Sequence, residues 1–183
     1  MSHIDELLRY DGRRVVVTSC ASGIGAALCG QLRDLGADVI GLDVRPPAGP
    51  GDFVELDLAD PASIERATRD VAGEIDSLFN VAGVSSGIGD PLRVVTINFL
   101  GTRMFTEALL PRVHSAVVCV SSLAAANYPE HLAQVAGLLA TRSMADGVRW
   151  CRDNPDALAD GGYRLSKEAI IGYVVRNAVP LGA

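Results

Sequence analysis

Three side chains in this sequence are of the types and spacing that can move a proton: Ser122, and Tyr163 with Lys167 in the run Tyr163-Arg164-Leu165-Ser166-Lys167. Tyr163 and Lys167 are four positions apart on a predicted helix, which puts them on one face. A tyrosine hydroxyl has an unperturbed pKa of about 10. It becomes a usable acid or base near neutrality when a positive charge favours the phenolate, and Lys167 is placed to supply that charge. Ser122 closes an apolar, strand-like run, and open α/β sheets bind ligands beyond the carboxyl ends of their strands. Its hydroxyl can there position a substrate carbonyl. Each part alone is ordinary, since a tyrosine–lysine pair suits any surface helix and a strand-end serine often only forms a turn.

A second feature lies near the start. Ser19-Cys20-Ala21-Ser22-Gly23-Ile24-Gly25 follows the β-branched run Arg13 to Thr18 and precedes a predicted helix, Ala26 to Leu35, closed by Gly36. A glycine-rich turn in that place lets the backbone approach a pyrophosphate, with the helix N-terminus presenting its N–H groups and dipole. Glycine in a tight loop is the plainer explanation, and the strand–turn–helix context is what favours the first. Asp43 ends the next predicted strand, Ala37 to Leu42. An acid there can accept from a ribose diol and repel a 2′-phosphate, so NAD is expected in preference to NADP. Arg45, two residues on, pulls the other way.

The elements that must carry these residues alternate along the chain. Further strands are predicted at Phe53 to Leu56, Ser77 to Val81 and Ala116 to Val120, and helices at Pro61 to Val71 and about Leu92 to Leu110. That order predicts an α/β, Rossmann-like doubly wound parallel sheet with helices on both faces, as a single domain over residues 1–183. Residues 124–162 break the alternation with helix-like pieces near Leu132 to Ala140 and Ala145 to Arg152, and read as a helical insertion. A long helix then runs from Tyr163 to Ala178. No internal repeat or low-complexity tract is present.

Bulk properties narrow the function classes. The 183 residues are 49% hydrophobic and 21% charged, with a net charge of −6 and a pI near 5.0. A chain of this size buries roughly 70% of its unfolded surface, enough for one sizeable core. The acidic balance speaks against a nucleic-acid partner and against anionic membranes. No apolar run approaches the roughly 18 residues of a membrane span, and the first residues lack a signal layout, so a cytoplasmic protein is expected. Cys20, Cys29, Cys119 and Cys151 show no metal-ligand spacing, and no metal is expected. Cys29 in a helical pattern and Cys119 in an apolar run read as reduced, buried thiols.

Taken in order, Thr18-Ser19-xxx-Gly23-x-Gly25, Asp43, Asp57-Leu58, Asn80-Val81-Ala82-Gly83, Asn98, Ser122 and Tyr163-xxx-Lys167 resemble the motifs of the short-chain dehydrogenase/reductase family over nearly the whole chain. The resemblance implies a nicotinamide cofactor gripped by Ser19, Gly23, Ile24, Gly25, Asp43, Tyr163 and Lys167. Asp57 and Leu58 would flank the adenine, and Ala82 and Gly83 would lie beside the cofactor. It gives Asn98 the task of kinking its helix and holding a water for proton relay with Lys167, and makes Ser122, Tyr163 and Lys167 catalytic. Ser122 and Tyr163 are 41 positions apart, wider than most members show. That spacing is similar to the bacterial 3α-hydroxysteroid dehydrogenase/carbonyl reductase subgroup, where the insertion alters the usual oligomer interface. It implies a homo-oligomer acting on a secondary alcohol and its ketone, on a steroid or another hydrophobic carbonyl compound.

Three departures accompany the resemblance. The first glycine of the family turn is Ser19, where a Cβ costs on the order of 1 kcal/mol if the position needs a positive φ. The second asparagine of the family's strand-end motif is Val81, which removes a polar link between strands. The family's later elements, a strand, a cofactor-binding turn, a substrate-binding segment and a final helix and strand, do not follow Tyr163 to Ala178 here. The sequence is therefore expected to be part of a longer chain, the alternative being a truncated one. Without those elements the sheet is expected to show an open edge. Beside the oxidoreductase stands a second reading, a catalytically impaired nucleotide-binding or regulatory protein of the same descent.

Overall fold

The structure, a computed structural model, describes residues 8–49 and 51–181, with no account of the side chains of 179–181. Five strands form one sheet in the order β3-β2-β1-β4-β5. They are β1 (Arg14–Thr18), β2 (Asp38–Asp43), β3 (Asp52–Glu55), β4 (Ile75–Asn80) and β5 (Val113–Cys119). β1 runs parallel to both β2 and β4, with Val16 opposite Ile40 on one side and Leu78 on the other, and β2 runs parallel to β3. From β1 the chain moves outward through β2 and β3, then crosses back to β4. The direction of winding therefore changes beside β1, and such a switch point opens a crevice at the carboxyl ends of the strands. Thr18 and Asn80 are the residues at those ends.

The helices are α1 (Gly23–Asp34), α2 (Pro61–Asp70), α3 (Pro91–Val95), α4 (Thr102–Leu109), α5 (Leu132–Leu139), α6 (Met144–Asp153) and α7 (Tyr163–Leu181). A π-helical turn, Thr96–Gly101, joins α3 to α4. The fold is the expected Rossmann-like, doubly wound α/β sheet. α1 begins at Gly23, three residues before the expected start, because its first turn is built from glycines whose weak helix propensity hides it from a pattern search. Among the described residues, no helix is long and apolar enough to cross a membrane.

The chain forms two compact units. The first comprises the described part of Met1–Asp57 with Ala62–Ala82 and Phe105–Val118, and it contains the sheet up to Val118. Its interior shows why β1 reads as an unbroken apolar run: Val15, Val16 and Val17 are wholly buried, and Val15 and Val17 pack with Cys20, Cys29, Leu32 and Val39. A strand covered on both faces needs no polar alternation. β5 is different. Among the described residues it is the last strand in the row, and Val118 is 41% exposed. Cys119 is accordingly half-buried, a correction to the expectation of a buried thiol, while Cys20, Cys29 and Cys151 are buried and free.

The second unit comprises Leu58–Pro61, Gly83–Met104 and the described part of Cys119–Ala183. The insertion packs here on two glycines: a Cβ at Gly172 of α7 would come within 2.8 Å of Val135, and one at Gly147 of α6 within 2.3 Å of Leu100. Phe99 meets Tyr173 edge to face, with ring centroids 6.4 Å apart. The Arg103 guanidinium lies 5.3 Å from the Phe99 ring centroid and donates to the Thr141 carbonyl. The tightest approach is at Gly101, where a Cβ would fall 2.0 Å from the Leu58 carbonyl oxygen. Gly101→Ala is expected to destabilise the protein by about 2 kcal/mol through overpacking against rigid backbone, read as a lower urea midpoint with an unchanged slope.

Candidate active site

In the first unit the glycine-rich turn is fixed from beneath. The buried Thr18 hydroxyl accepts from the backbone N–H groups of Val81 (3.0 Å) and Ala82 (2.9 Å), joining the ends of β1 and β4. This hydroxyl supplies the polar link whose loss at Val81 was expected. Asp43 is half-buried at the end of β2, and its carboxylate accepts from Ala21 N (3.0 Å) and Val44 N (2.8 Å). It therefore braces the turn, and each oxygen keeps a second lone pair for a further donor. Arg45 is exposed.

Ser19 has φ +66, the only positive value at a non-glycine among the described residues. The condition on which its cost depended is thus met. Gly25 is needed for a separate reason, since a Cβ there would lie 2.1 Å from the Ser19 carbonyl oxygen. Ser22 caps α1 in extended conformation without a side-chain hydrogen bond, so the first-turn N–H groups are left for an acceptor from outside the helix. That vacancy, in an exposed turn with Ile24 at 70% exposure, fits the pyrophosphate of a dinucleotide. Asp57 is half-buried and its N–H donates to the Ser63 hydroxyl (3.0 Å).

The second unit brings Gly83, Asn98, Ser122, Tyr163 and Lys167 onto neighbouring segments. Lys167 is only 4% exposed, and its ammonium donates to the Val120 carbonyl (2.9 Å) while lying 5.8 Å from the Tyr163 ring centroid. Burial lowers the Lys167 pKa from the ordinary lysine value, and the Cys119 thiol opposes this weakly. A Cβ on Gly83 would stand 3.2 Å from Asn98 Oδ1 and 3.4 Å from Lys167 Nζ, so this glycine leaves room over that pair. Ser122 is half-buried; its hydroxyl oxygen accepts from Ala124 N (3.2 Å), leaving its own O–H to donate.

Asn98 is buried within the π-helical turn. Its amide makes a two-point clamp on Val84, Oδ1 accepting from Val84 N (2.8 Å) and Nδ2 donating to Val84 O (2.9 Å), and also donates to Ser166 Oγ (3.1 Å). Ser166 in turn donates to the Tyr163 carbonyl (2.7 Å), and Ser121 donates to the Lys167 carbonyl (2.9 Å). Leu58 is buried, with its backbone carbonyl against Gly101. Thr18, Ser121 and Ser166 had no assigned role in the sequence; a strand-end hydroxyl after a buried β-branched run was the one available signal for Thr18.

The chain matches the NAD dependent epimerase/dehydratase family over residues 15–143. It is 37% identical to a coniferyl-alcohol dehydrogenase of a Pseudomonas species, covering 90% of this chain and 65% of that protein. It is 28% identical to the 3-alpha-hydroxysteroid dehydrogenase/carbonyl reductase of Comamonas testosteroni, over 62% of this chain and 45% of that one. Its structure resembles the 3-alpha-hydroxysteroid dehydrogenase of Pseudomonas sp. B-0831 in complex with NADH, with 30% identity, a TM-score of 0.75, and coverage of 92% and 67%. The chain spans roughly half to two thirds of the length of the curated relatives it matches.

Two outcomes follow from this geometry. Ser19→Gly is expected to raise stability by about 1 kcal/mol by relieving the positive-φ strain, measured as an upward shift in the urea midpoint. Lys167 has a lowered pKa, so its ammonium, present at low pH, is lost on raising the pH before an ordinary lysine would lose it. Any activity that depends on this charge is expected to fall on an alkaline limb that begins at lower pH than an ordinary lysine would give, seen in a pH profile of kcat/KM.

Proposed function

The chain belongs to the short-chain dehydrogenase/reductase family, and from that premise we propose that it takes part in the NAD-dependent interconversion of a hydrophobic alcohol and its carbonyl compound. The observation that carries this reading is the buried Lys167 ammonium, 5.8 Å from the Tyr163 ring centroid and within reach of the space above Gly83. A bound nicotinamide supplies the hydride acceptor or donor. The residues of this chain do the rest. The Tyr163 hydroxyl exchanges the proton of the substrate oxygen, Ser122 donates to that oxygen and orients it, and Lys167 provides the positive charge beside the tyrosine. The uncapped first turn of α1 and Gly25 receive the pyrophosphate, and Asp43 accepts from the adenosine ribose, which favours NAD over NADP.

A hydrophobic substrate is supported by Leu123, which directly follows Ser122 and is 89% exposed. The relatives named above act, by their names, on coniferyl alcohol and on hydroxysteroids, so both chemical types belong in the substrate panel. A second reading, nucleotide binding without turnover, is favoured by one observation, the strained Ser19 in the turn.

Tyr163→Phe is expected to lower kcat by a hundredfold or more, roughly the contribution of a general acid or base, while NADH binding followed by fluorescence stays within about twofold. Wild-type turnover by this variant would falsify the role given to Tyr163. Binding of NADH by the native protein with no turnover on any alcohol or ketone of the panel would establish the second reading. Asp43→Ser is expected to weaken NAD by roughly tenfold, about the value of one charged hydrogen bond, and to narrow or reverse the preference over NADP.

A further inference from the structure

The three side chains given chemical roles above stand on two segments far apart along the chain. Tyr163 and Lys167 lie on the first turns of α7, whereas Ser122 comes shortly after β5, which ends at Cys119. The Ser122 hydroxyl accepts from Ala124 N at 3.2 Å, a bond within its own turn that does not reach α7. Its distance from the tyrosine therefore depends on what fastens the stretch after β5 to the helix.

Two hydrogen bonds do so, on consecutive residues. Lys167 Nζ donates to the Val120 carbonyl at 2.9 Å, and the Ser121 hydroxyl donates to the Lys167 carbonyl at 2.9 Å. One lysine is thus held at its head by residue 120 and at its backbone by residue 121. The two bonds differ in what they fix. The ammonium sits on a flexible four-carbon stem, so its bond places the head and leaves the helix free to shift. The Ser121 side chain is short and meets the helix backbone itself. The Lys167 carbonyl has two lone pairs, so it takes the serine in addition to its helical partner. Ser121, half-buried, thereby ties the residue directly before Ser122 to the backbone of α7.

We propose that Ser121 is a positioning residue, whose hydroxyl sets the distance between Ser122 and the Tyr163–Lys167 pair and keeps the Lys167 ammonium on the Val120 carbonyl. The proposal rests on the roles given above to Ser122, Tyr163 and Lys167. Without the hydroxyl, the joint leans on the lysine head, which can exchange Val120 for water. The titratable groups near that head are the Cys119 thiol at the end of β5 and Tyr163 on α7.

The sequence supplies the probe, because Lys167 is the single lysine of the chain. The full chain grown on isotope-labelled lysine gives one side-chain Cε resonance in NMR, and its titration reads the Lys167 ammonium without substrate or cofactor. In the native protein it is expected to titrate below an ordinary lysine, since burial lowers its pKa. In Ser121→Ala it is expected to titrate at higher pH, moved toward the ordinary value of about 10.4 as water reaches the loosened group. Ser121→Thr keeps a hydroxyl and is expected to titrate as the native protein does. In turnover, Ser121→Ala is expected to lose roughly tenfold in kcat through misplacement, with the alkaline limb of kcat/KM moved up together with the resonance and NADH binding little changed. A serine that only stabilises the fold would lower the urea midpoint and leave the resonance and the limb in place, and that result would overturn the proposal. Equal displacement of the resonance by Ser121→Thr would overturn it as well. Absence of turnover in the native protein would instead overturn the chemical roles, with the resonance still deciding whether Ser121 holds Lys167.

Discussion

An ammonium group taken out of water must keep its hydrogen-bond partners, because a buried charge without them costs several kcal/mol. Lys167, 4% exposed, meets this through the Val120 carbonyl at 2.9 Å. The arrangement around it follows from that contact. The chain after β5 has to turn so that Val120 offers its oxygen to α7, and Ser121 then fastens the same segment to the Lys167 carbonyl. A Cβ at position 83 would crowd the pair, at 3.2 Å from Asn98 Oδ1 and 3.4 Å from Lys167 Nζ. Tyr163, one helical turn before the lysine, falls under the charge as a consequence of the four-residue spacing. The pair is therefore produced by a desolvated lysine and its compensation, with the tyrosine placed by helix geometry.

The glycine-rich turn before α1 solves a different problem. There, backbone N–H groups must be left open to solvent yet held rigid. Two side chains hold the backbone from below: Thr18 ties the ends of β1 and β4, and Asp43 ties the end of β2 to Ala21. Neither consumes the first-turn donors of α1. The strain at Ser19 is carried in the same stretch, with φ +66 where glycine would adopt that angle freely. Bracing from Thr18 and Asp43 is what allows the strained residue to persist, since such conformations survive only where the surroundings over-determine them.

Much of this arrangement was legible in the residues. The buried β1 run, the glycine turn, the strand-end acid and the tyrosine–lysine spacing are local patterns, each set by chain geometry over a few residues. What was hidden depends on partners far along the chain or on a backbone irregularity without a signature. Asn98 was singled out only through the family resemblance, since taken alone it is a polar residue in a helix; it lies in a π-helical turn with its amide clamped on Val84. Leu58 is buried with its carbonyl against Gly101, a packing fact that only the fold supplies. Cys119 read as buried because its run is apolar, whereas the exposure of β5 follows from its place at the end of the sheet row.

The insertion, visible in the sequence only as a break in the alternation, acquires a physical role from one buried carboxylate. Glu168 follows Lys167 on α7 but points elsewhere, fully buried, accepting from Arg164 and paired with His131 (2.7 and 2.8 Å). His131 belongs to the insertion and precedes α5, so this buried acid fastens the insertion to the helix that carries Tyr163 and Lys167. A carboxylate enclosed in this way is costly to leave unpaired, and the contact of Gly172 with Val135 and Leu139 adds close packing a turn further on. The helix is thus gripped twice along its length: its first turns by Ser121, Val120 and the Asn98–Ser166 link, its next turns by the insertion. Tyr163 and Lys167 stand in those first turns, and the tie from Glu168 to His131 begins at the residue directly after Lys167, so the two grips meet there and leave the start of the helix little freedom to shift.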